Sequence, residues 1–261
     1  RALYADPDAT RIQFIRLFED LFPLLENSNG IMSETVERGG NRLIRNHIRD
    51  FEMDNLTFIQ SDIKELELPP AKVIRCMNVL IYFKPEIRKK MLLQAGELLD
   101  DDGILIAGTN GLGIQSRYAV YQKGTNGIFP SEFAFSLDNL GHIVFMPWFT
   151  IHEDDSEAML LAQLTGAVRS DRHFWTDFSN RIDELMQHHG ACERGSDGFL
   201  HFPDEEMSPR EYLEKNATLW RQLEEEGYLG DVVDILKRMG YDAWVNSVGD
   251  VAIRPAPEFS V

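Results

Sequence analysis

The segment Lys72-Val-Ile-Arg-Cys-Met-Asn-Val-Leu-Ile81 is apolar at most of its positions. Such a nearly continuous run is typical of a strand whose two faces are both covered. A helix is predicted from Lys84 to Leu99, because Pro85 suits a first turn and apolar residues then recur on one face. Ile104-Leu-Ile-Ala-Gly108 predicts another buried strand. Strand, helix and strand in this order predict a βαβ unit with parallel strands.

Upstream of this unit, the sequence predicts a long helix and two further strands. From Ala9 to Leu25 the apolar residues recur with helical spacing and nearly encircle the axis, so we expect a well-buried helix. Short strands are predicted at Ala2–Ala5, directly before Asp6, and at Leu56–Gln60, directly before Ser61.

The end of the chain predicts an antiparallel hairpin. A short helix is expected from Asp231 to Met239, where Gly240 ends it. Tyr241–Val248 and Val251–Arg254 are then expected to pair across a two-residue turn at Gly249 and Asp250.

The stretch between Gly113 and Glu226 is richer in aromatic residues than its surroundings. It contains one strand-like segment, Ile143–Ile151, and helical patterns at 155–168, 171–189 and 208–226. We therefore expect an α/β fold with a Rossmann-like, mostly parallel sheet, a C-terminal antiparallel hairpin and a large, mainly helical insertion. The predicted core spans 1–112 and 227–261, and the predicted lid or substrate subdomain spans 113–226.

Composition excludes several classes of function. The 26 basic residues face 43 acidic ones, for a net charge of −17, which disfavours a nucleic-acid partner. Apolar runs fall short of the roughly 20 residues of a membrane span, and the sequence shows no signal peptide, so no membrane partner is expected. Two cysteines cannot form a disulfide framework. A cytoplasmic location is therefore predicted.

Polar residues follow the predicted strands at the points where those strands end. The polar ones are Asp6, Ser61, Asp62 and Asn78, and the apolar residues Ile63, Val79 and Leu80 directly follow the last two of them. In open α/β sheets, ligands bind outside the carboxyl ends of the strands. One carboxylate can accept hydrogen bonds from both hydroxyls of a ribose, and a second can accept from the adenine amine. An Asp at a strand end is, however, also a common turn or helix-capping residue.

These segments resemble class I S-adenosylmethionine-dependent methyltransferases. Leu56-Thr-Phe-Ile-Gln-Ser-Asp-Ile63 is similar to the family's V-x-F-x-x-x-D-(I/L) segment, and Asp101-Asp-Gly-Ile-Leu-Ile-Ala-Gly108 is similar to its L-x-P-G-G-x-L-h-h-G pattern. Ile74-Arg-Cys-Met-Asn-Val-Leu-Ile-Tyr-Phe83 resembles the C-R-N-V-L-I-Y-F segment of the chemotaxis-receptor glutamate methyltransferases. The specific part of the resemblance is confined to 56–110.

The resemblance implies S-adenosylmethionine as cofactor and a role for each strand-end residue. Asp6 would hold the ribose hydroxyls, while Asp62 and Ile63, next to Ser61, would recognise adenine. Asn78, Val79 and Leu80 would line the cofactor where the methyl group meets the acceptor. The family's first strand and Gly-rich loop do not precede Asp6 here, and we expect them upstream of Arg1. No catalytic acid or base is assigned, because this reaction depends mainly on positioning and desolvation.

The acceptor is expected to be a small molecule or, second, a protein side chain. Tyr82, Tyr118, Tyr121 and Trp148 are candidates for an apolar substrate pocket. The alternative function is a non-catalytic methyltransferase-like module that acts through the insertion, and a nicotinamide-dependent oxidoreductase fits the 76–83 run poorly. His188, His189 and Cys192 have metal-ligand chemistry, but Gly190 interrupts the helix, so a solvated helix end is favoured and no metal is predicted.

Overall fold

A computed structural model of the chain divides it into two compact units, Arg1–Ser61 and Asp62–Val261. The structure describes residues 7–25, 33–59, 61, 68–110, 116–140, 156–189, 193–194, 200–201, 208–256 and 259. The division between the two units falls before the first strand of the main sheet. It therefore differs from the predicted division into a core and a 113–226 lid.

The first unit combines one helix with a small hairpin. Helix α1 (Pro7–Leu25) precedes strands β1 (Thr35–Arg38) and β2 (Asn41–Ile44), which pair antiparallel, and a short 3-10 helix (Ile48–Phe51). The two hairpin-turn residues Gly39 and Gly40 have φ of 59° and 75°. Two consecutive positive φ angles are typical of a tight two-residue turn, and glycine adopts them without steric cost.

Helix α1 forms where it was predicted, but the prediction that it is well buried is wrong. Leu21 and Leu25 are buried, whereas Phe14, Ile15 and Phe18 are exposed. The described partners of α1 in its unit are two four-residue strands, which are too short to cover a helix that is apolar around most of its circumference.

Neither of the two strands predicted upstream of the main sheet is confirmed. The predicted strand at Leu56–Gln60 does not form in the described residues: Leu56 makes an isolated bridge with Met53, and 57–59 have no regular structure. The predicted strand Ala2–Ala5 lies outside the described residues.

The second unit is built on a six-stranded sheet in its described part, with helices packed against it. The spatial order is β3-β4-β5-β6-β10-β9. The strands are β3 (Ala71–Met77), β4 (Leu99–Asn110), β5 (Ser116–Gly124), β6 (Gly127–Phe135), β9 (Ala243–Val245) and β10 (Val251–Ile253).

The sheet is mixed, and its described pairs do not bear out the expectation of a mostly parallel sheet. Strands β3 and β4 are parallel and are joined by helix α2 (Pro85–Glu97), as the βαβ pattern predicted. The other neighbouring pairs are antiparallel. The difference arises because 116–135, expected to belong to the helical insertion, forms the β5–β6 hairpin beside β4. Gly127, with φ of 111°, follows the turn of that hairpin.

The terminal hairpin is confirmed, with a different connection. Strands β9 and β10 pair antiparallel, and Val245 lies opposite Val251, so 246–250 link them in place of the predicted two-residue turn. The side chain of Asn246 organises this loop, because its Oδ1 accepts from the backbone N–H groups of Val248 (3.1 Å) and Asp250 (3.0 Å).

Four helices form a layer of the second unit, close to the predicted ranges. They are α3 (Ser156–Ser170), α4 (Arg172–His189), α5 (Pro209–Glu225) and α6 (Tyr228–Arg238). The predicted start of α5 is confirmed, since the Oγ of Ser208 accepts from the N–H of Glu211 at 3.2 Å. Two short strands, β7 (Glu193–Arg194) and β8 (Leu200–His201), pair between α4 and α5 in the chain. The predicted strand Ile143–Ile151 lies outside the described residues. Within the described part of the chain, each helix is too short or too polar to cross a bilayer.

Candidate functional site

One edge of the main sheet concentrates the polar residues of the second unit. The register places Asn110 opposite Ser116, and Phe135 opposite both Arg117 and Val251. The carboxyl ends of β3, β4 and β6 therefore lie at the same edge as the starts of β5 and β10. We call this region the polar sheet edge; it comprises Asn78, Asn110, Ser116, Ser136, Asp138, Asn139, Asn246 and Asp250.

Asn78 joins the ends of the two parallel strands. Its backbone N–H donates to the carbonyl of Gly108 (2.9 Å), and its Oδ1 accepts from the N–H of Asn110 (2.7 Å). Its φ of 59° lies in the left-handed region, which Asn tolerates better than most residues. Because an N–H can only donate, this bond fixes the amide orientation, and the Nδ2 group is the remaining donor of the side chain.

We expect the replacement of Asn78 to separate its backbone role from its side-chain role. Asn78→Gly removes the bond to Asn110 but accepts the left-handed conformation, whereas Asn78→Ala loses the bond and adds backbone strain. Asn78→Ala should therefore be less stable than Asn78→Gly by about 1 kcal/mol in urea unfolding. Equal stability of the two variants would show that the left-handed conformation is not maintained in solution.

Val79 and Leu80, the other predicted cofactor residues of this strand end, differ in exposure. Val79 is exposed, while Leu80 is buried in a short 3-10 helix (Leu80–Tyr82) and packs into the core. The side chain of Leu80 therefore serves the core. Tyr82, at the end of the same 3-10 helix, is 67% exposed, so its ring is accessible from solvent.

Two of the remaining predicted substrate residues lie three positions apart on β5, and the alternation of side chains sends them to opposite faces. The hydroxyl of Tyr118 accepts from the Nδ2 of Asn246 (2.8 Å) next to the polar sheet edge, and burial is the main cause that raises its pKa to about 12. Tyr121 is 2% exposed and belongs to the hydrophobic core, which also raises its pKa. Tyr121 is thus not open to a substrate. Trp148 lies outside the described residues.

A hydrogen-bonded set of serines and carboxyl groups at this edge was not predicted from the sequence. The Oγ of Ser136 donates to Oδ1 of Asp138 (2.5 Å), and the Oγ of Ser116 donates to Oδ2 of Asp250 (3.1 Å). The N–H of Ser116 donates to the Oγ of Ser136 (2.8 Å), which links the two pairs. The available signal was Ser136-Leu-Asp138 directly after the alternating end of β6, but this stretch was assigned to the insertion.

Burial shifts both carboxyl groups in the same direction. Asp138 is 4% exposed, and burial raises its pKa to about 7 against the opposing effect of the Ser136 hydroxyl. Burial likewise raises the pKa of Asp250, and the charge of Glu132 adds to the effect. Perturbed acids of this kind are enriched at functional sites, although structural networks also produce them.

Most of the residues predicted to bind the nucleoside lie outside the described residues. Asp6, Asp62 and Ile63 fall outside the described residues, and Ser61 ends the first unit. Their convergence with Asn78 on one nucleoside stays a prediction. At the other candidate, the Nε2 of His189 lies 3.2 Å from the Oε1 of Gln222, and Cys192 is outside the described residues. Among the described residues, no group of three His, Cys, Asp or Glu side chains is placed to hold a metal ion.

Comparison with known proteins identifies no relative: no family model, no curated protein and no solved structure matches the chain. Its function must therefore be inferred from its own residues. In the second unit, the polar sheet edge is where strand ends, a residue in the left-handed conformation, the buried Asp138 and the half-buried Asp250 coincide.

Proposed function

We propose that the chain binds S-adenosylmethionine and transfers its methyl group to a small-molecule or protein nucleophile. The observation that carries the proposal is Asn78. It ends the first strand of a parallel βαβ unit, it has a left-handed backbone, and it lies within the segment that resembles the methyltransferases. Ligands of open α/β sheets bind at this position of the fold.

A Rossmann-like arrangement is part of this proposal. Its support is the β3–α2–β4 unit, whose parallel strands and intervening helix follow the expected order. The β5–β6 hairpin is an addition to that arrangement, since it lies between β4 and the terminal hairpin.

The resemblance assigns ribose binding to Asp6 and adenine binding to Asp62, with Ser61 and Ile63, and the proposal keeps these roles. Asn78, Val79 and the backbone at Leu80 line the methyl group. The acceptor's lone pair forms a bond to the methyl carbon while the carbon–sulfur bond breaks, and S-adenosylhomocysteine leaves with the electron pair of that bond on sulfur. The protein positions the two reactants and excludes water, which can supply most of the rate enhancement.

The proposed acceptor lies beside this edge. Tyr118 is held there by Asn246, and Tyr82 is exposed one short 3-10 helix away from Asn78. Together with Trp148, they are the proposed substrate contacts. A cytoplasmic location remains part of the proposal, and it is supported by the low cysteine count of the sequence.

Calorimetry tests the proposal most directly. The full-length protein should bind both S-adenosylmethionine and S-adenosylhomocysteine, and Asp62→Ala should weaken binding at least about tenfold, the loss expected for a charged hydrogen-bond acceptor. Asp234→Ala, which removes an exposed acid of α6, is the matched control and should bind like the wild type.

Two outcomes would contradict different parts of the proposal. If the full-length wild type binds neither compound, donor binding is refuted and the non-catalytic module becomes the better account. If Asp62→Ala binds as tightly as the wild type, the assignment of the adenine site is wrong, although the function can stand.

A further inference from the structure

Four residues at the polar sheet edge link two carboxyl groups through a chain of hydrogen bonds, with Ser116 joining the two halves by its backbone N–H on one side and its Oγ on the other. The first two are Asp138, in the 3-10 helix Leu137–Leu140, and Ser136, which directly follows β6. The other two are Ser116, at the start of β5, and Asp250, in the β9–β10 loop. The chain therefore connects four separate pieces of backbone at one edge of the sheet.

The hydroxyl of Ser136 is fully used at the centre of this chain. It accepts from the N–H of Ser116 (2.8 Å) and lies within accepting distance of the Nδ2 of Asn139 (3.0 Å), and it is within donating distance of both Oδ1 of Asp138 (2.5 Å) and the carbonyl of Ser116 (3.2 Å). Oδ1 of Asp138 is the nearer of the two acceptors, and the Ser136 hydroxyl can donate to it whether or not the carboxyl group carries a proton of its own on Oδ2.

Loss of the Asp138 proton changes the charge of the protein interior next to the polar sheet edge. All four residues of the 3-10 helix Leu137–Leu140 are buried, and Asp250 faces Asp138 from the β9–β10 loop. The other charged groups around this pair are Glu132 on β6, Glu224 and Arg221 on α5, and Arg169 on α3. Arg169 donates to the carbonyl of Leu140 (2.7 Å), and Arg221 lies near Glu224. Among these groups of the described residues, four carboxyl groups, with Asp138 and Asp250 included, stand against two guanidinium groups.

We propose that this hydrogen-bonded chain is a proton-controlled switch for the polar sheet edge. With Asp138 neutral, the 3-10 helix and the start of β5 are held together. Loss of the proton from Asp138 places a second negative charge in the interior near Asp250. The start of β5 then separates from the 3-10 helix more readily. The switch does not depend on methyl transfer, because every group in it belongs to the fold.

The direction of the effect follows from linkage. Since burial raises the pKa of Asp138 from its usual value near 3.8 to about 7, the folded edge favours the protonated form. The stabilisation is complete below the usual value and is lost as the pH rises toward 7; above that pH the loss levels off. With respect to this group, the edge is thus held most firmly below the usual Asp value of 3.8, is held less firmly in mildly acidic solution, and opens most easily at pH 7 and above.

Hydrogen exchange of the backbone amide of Ser116 tests the switch, because this N–H donates to Ser136. After correction for intrinsic exchange, Asp138→Asn should protect this amide more than the wild type does. The excess protection should grow by at least about tenfold between pH 5 and pH 7 and then level off. The control is Asp177→Asn, which alters an exposed carboxylate that accepts from the hydroxyl of Tyr228 (2.8 Å) and should leave Ser116 unchanged.

A carbon-13 titration of the Asp138 carboxyl in the wild type gives a second measurement that needs no variant. A midpoint well above the usual range for Asp supports the switch, whereas a midpoint below pH 5 overturns it. The proposal is also overturned if Asp138→Asn and the wild type show the same pH dependence at Ser116.

Discussion

Gly108→Ala is expected to lower the free energy of unfolding by about 3 kcal/mol, at the upper end of what overpacking costs in a close-packed interior. A Cβ at this position would lie 2.2 Å from the carbonyl oxygen of Arg117 and 2.5 Å from the Cα of Tyr118. Both are backbone atoms of β5, so the clash can be relieved only if β4 and β5 separate. The carbonyl of Gly108 also accepts from Asn78, and the same movement would disturb the proposed methyl-donor site.

Gly166→Ala is the matched control. Gly166 lies within α3, and a Cβ there would meet nothing within 4 Å. Because alanine is the better helix former, this variant should gain up to about 1 kcal/mol. Urea unfolding followed by circular dichroism measures both changes. If Gly108→Ala is as stable as the wild type, the close approach of β4 and β5 is not maintained in solution.

The elements that the sequence predicted correctly are those whose signals are local. Pro85 marks the start of α2, and the Ser208 cap marks the start of α5. Each signal acts within one helical turn, so it can be recognised without knowledge of the rest of the fold. The parallel β3–β4 pair followed from the same local evidence, since a helix that joins two buried strands leaves few alternatives.

The β5–β6 hairpin was missed because its pattern is ambiguous. Its residues, 116–135, lie in the aromatic-rich stretch that the sequence predicts to be a mainly helical insertion, although Asn126-Gly127 is a common hairpin turn signal. The correct assignment depends on β4, which offers its free edge to β5, and pairing between strands is a tertiary property. The burial of α1 was mispredicted for a similar reason. An apolar pattern predicts a helix, but it gives no information on how much surface of other elements is present to cover that helix.

The polar sheet edge could be predicted only in part. Asn78 was identified because it ends a strand with a recognisable pattern. Asp250 was not, because its hydrogen-bond partner Ser116 is 134 residues away in the chain. Asp138 lies only two residues from its partner Ser136, but that pair gains its significance from its link to Ser116 on another strand. Only the sheet register brings such residues together, so buried acids of this kind become visible once the fold is known.

Phe178→Ala is expected to cost about 3–5 kcal/mol, the usual range for the truncation of a fully buried Phe. Phe178 is 0% exposed on α4, and its ring contacts those of Phe174 and Tyr228, each with centroids 5.3 Å away. Trp175 and Trp220 complete the cluster. These rings join α4 to α5 and α6, so the loss of the central one leaves a cavity that backbone shifts in three helices would be needed to close.

Two further variants distinguish the packing of Phe178 in the cluster from the general effect of removing an apolar side chain. Phe178→Leu keeps most of the buried volume and should cost less than about 2 kcal/mol, while Phe129→Ala removes an exposed ring and should change stability by less than about 1 kcal/mol. Urea midpoints at a common slope give the three values. If Phe178→Ala is no more destabilising than Phe129→Ala, the helical layer does not pack around Phe178, and the cluster cannot be what holds α4 to α5 and α6.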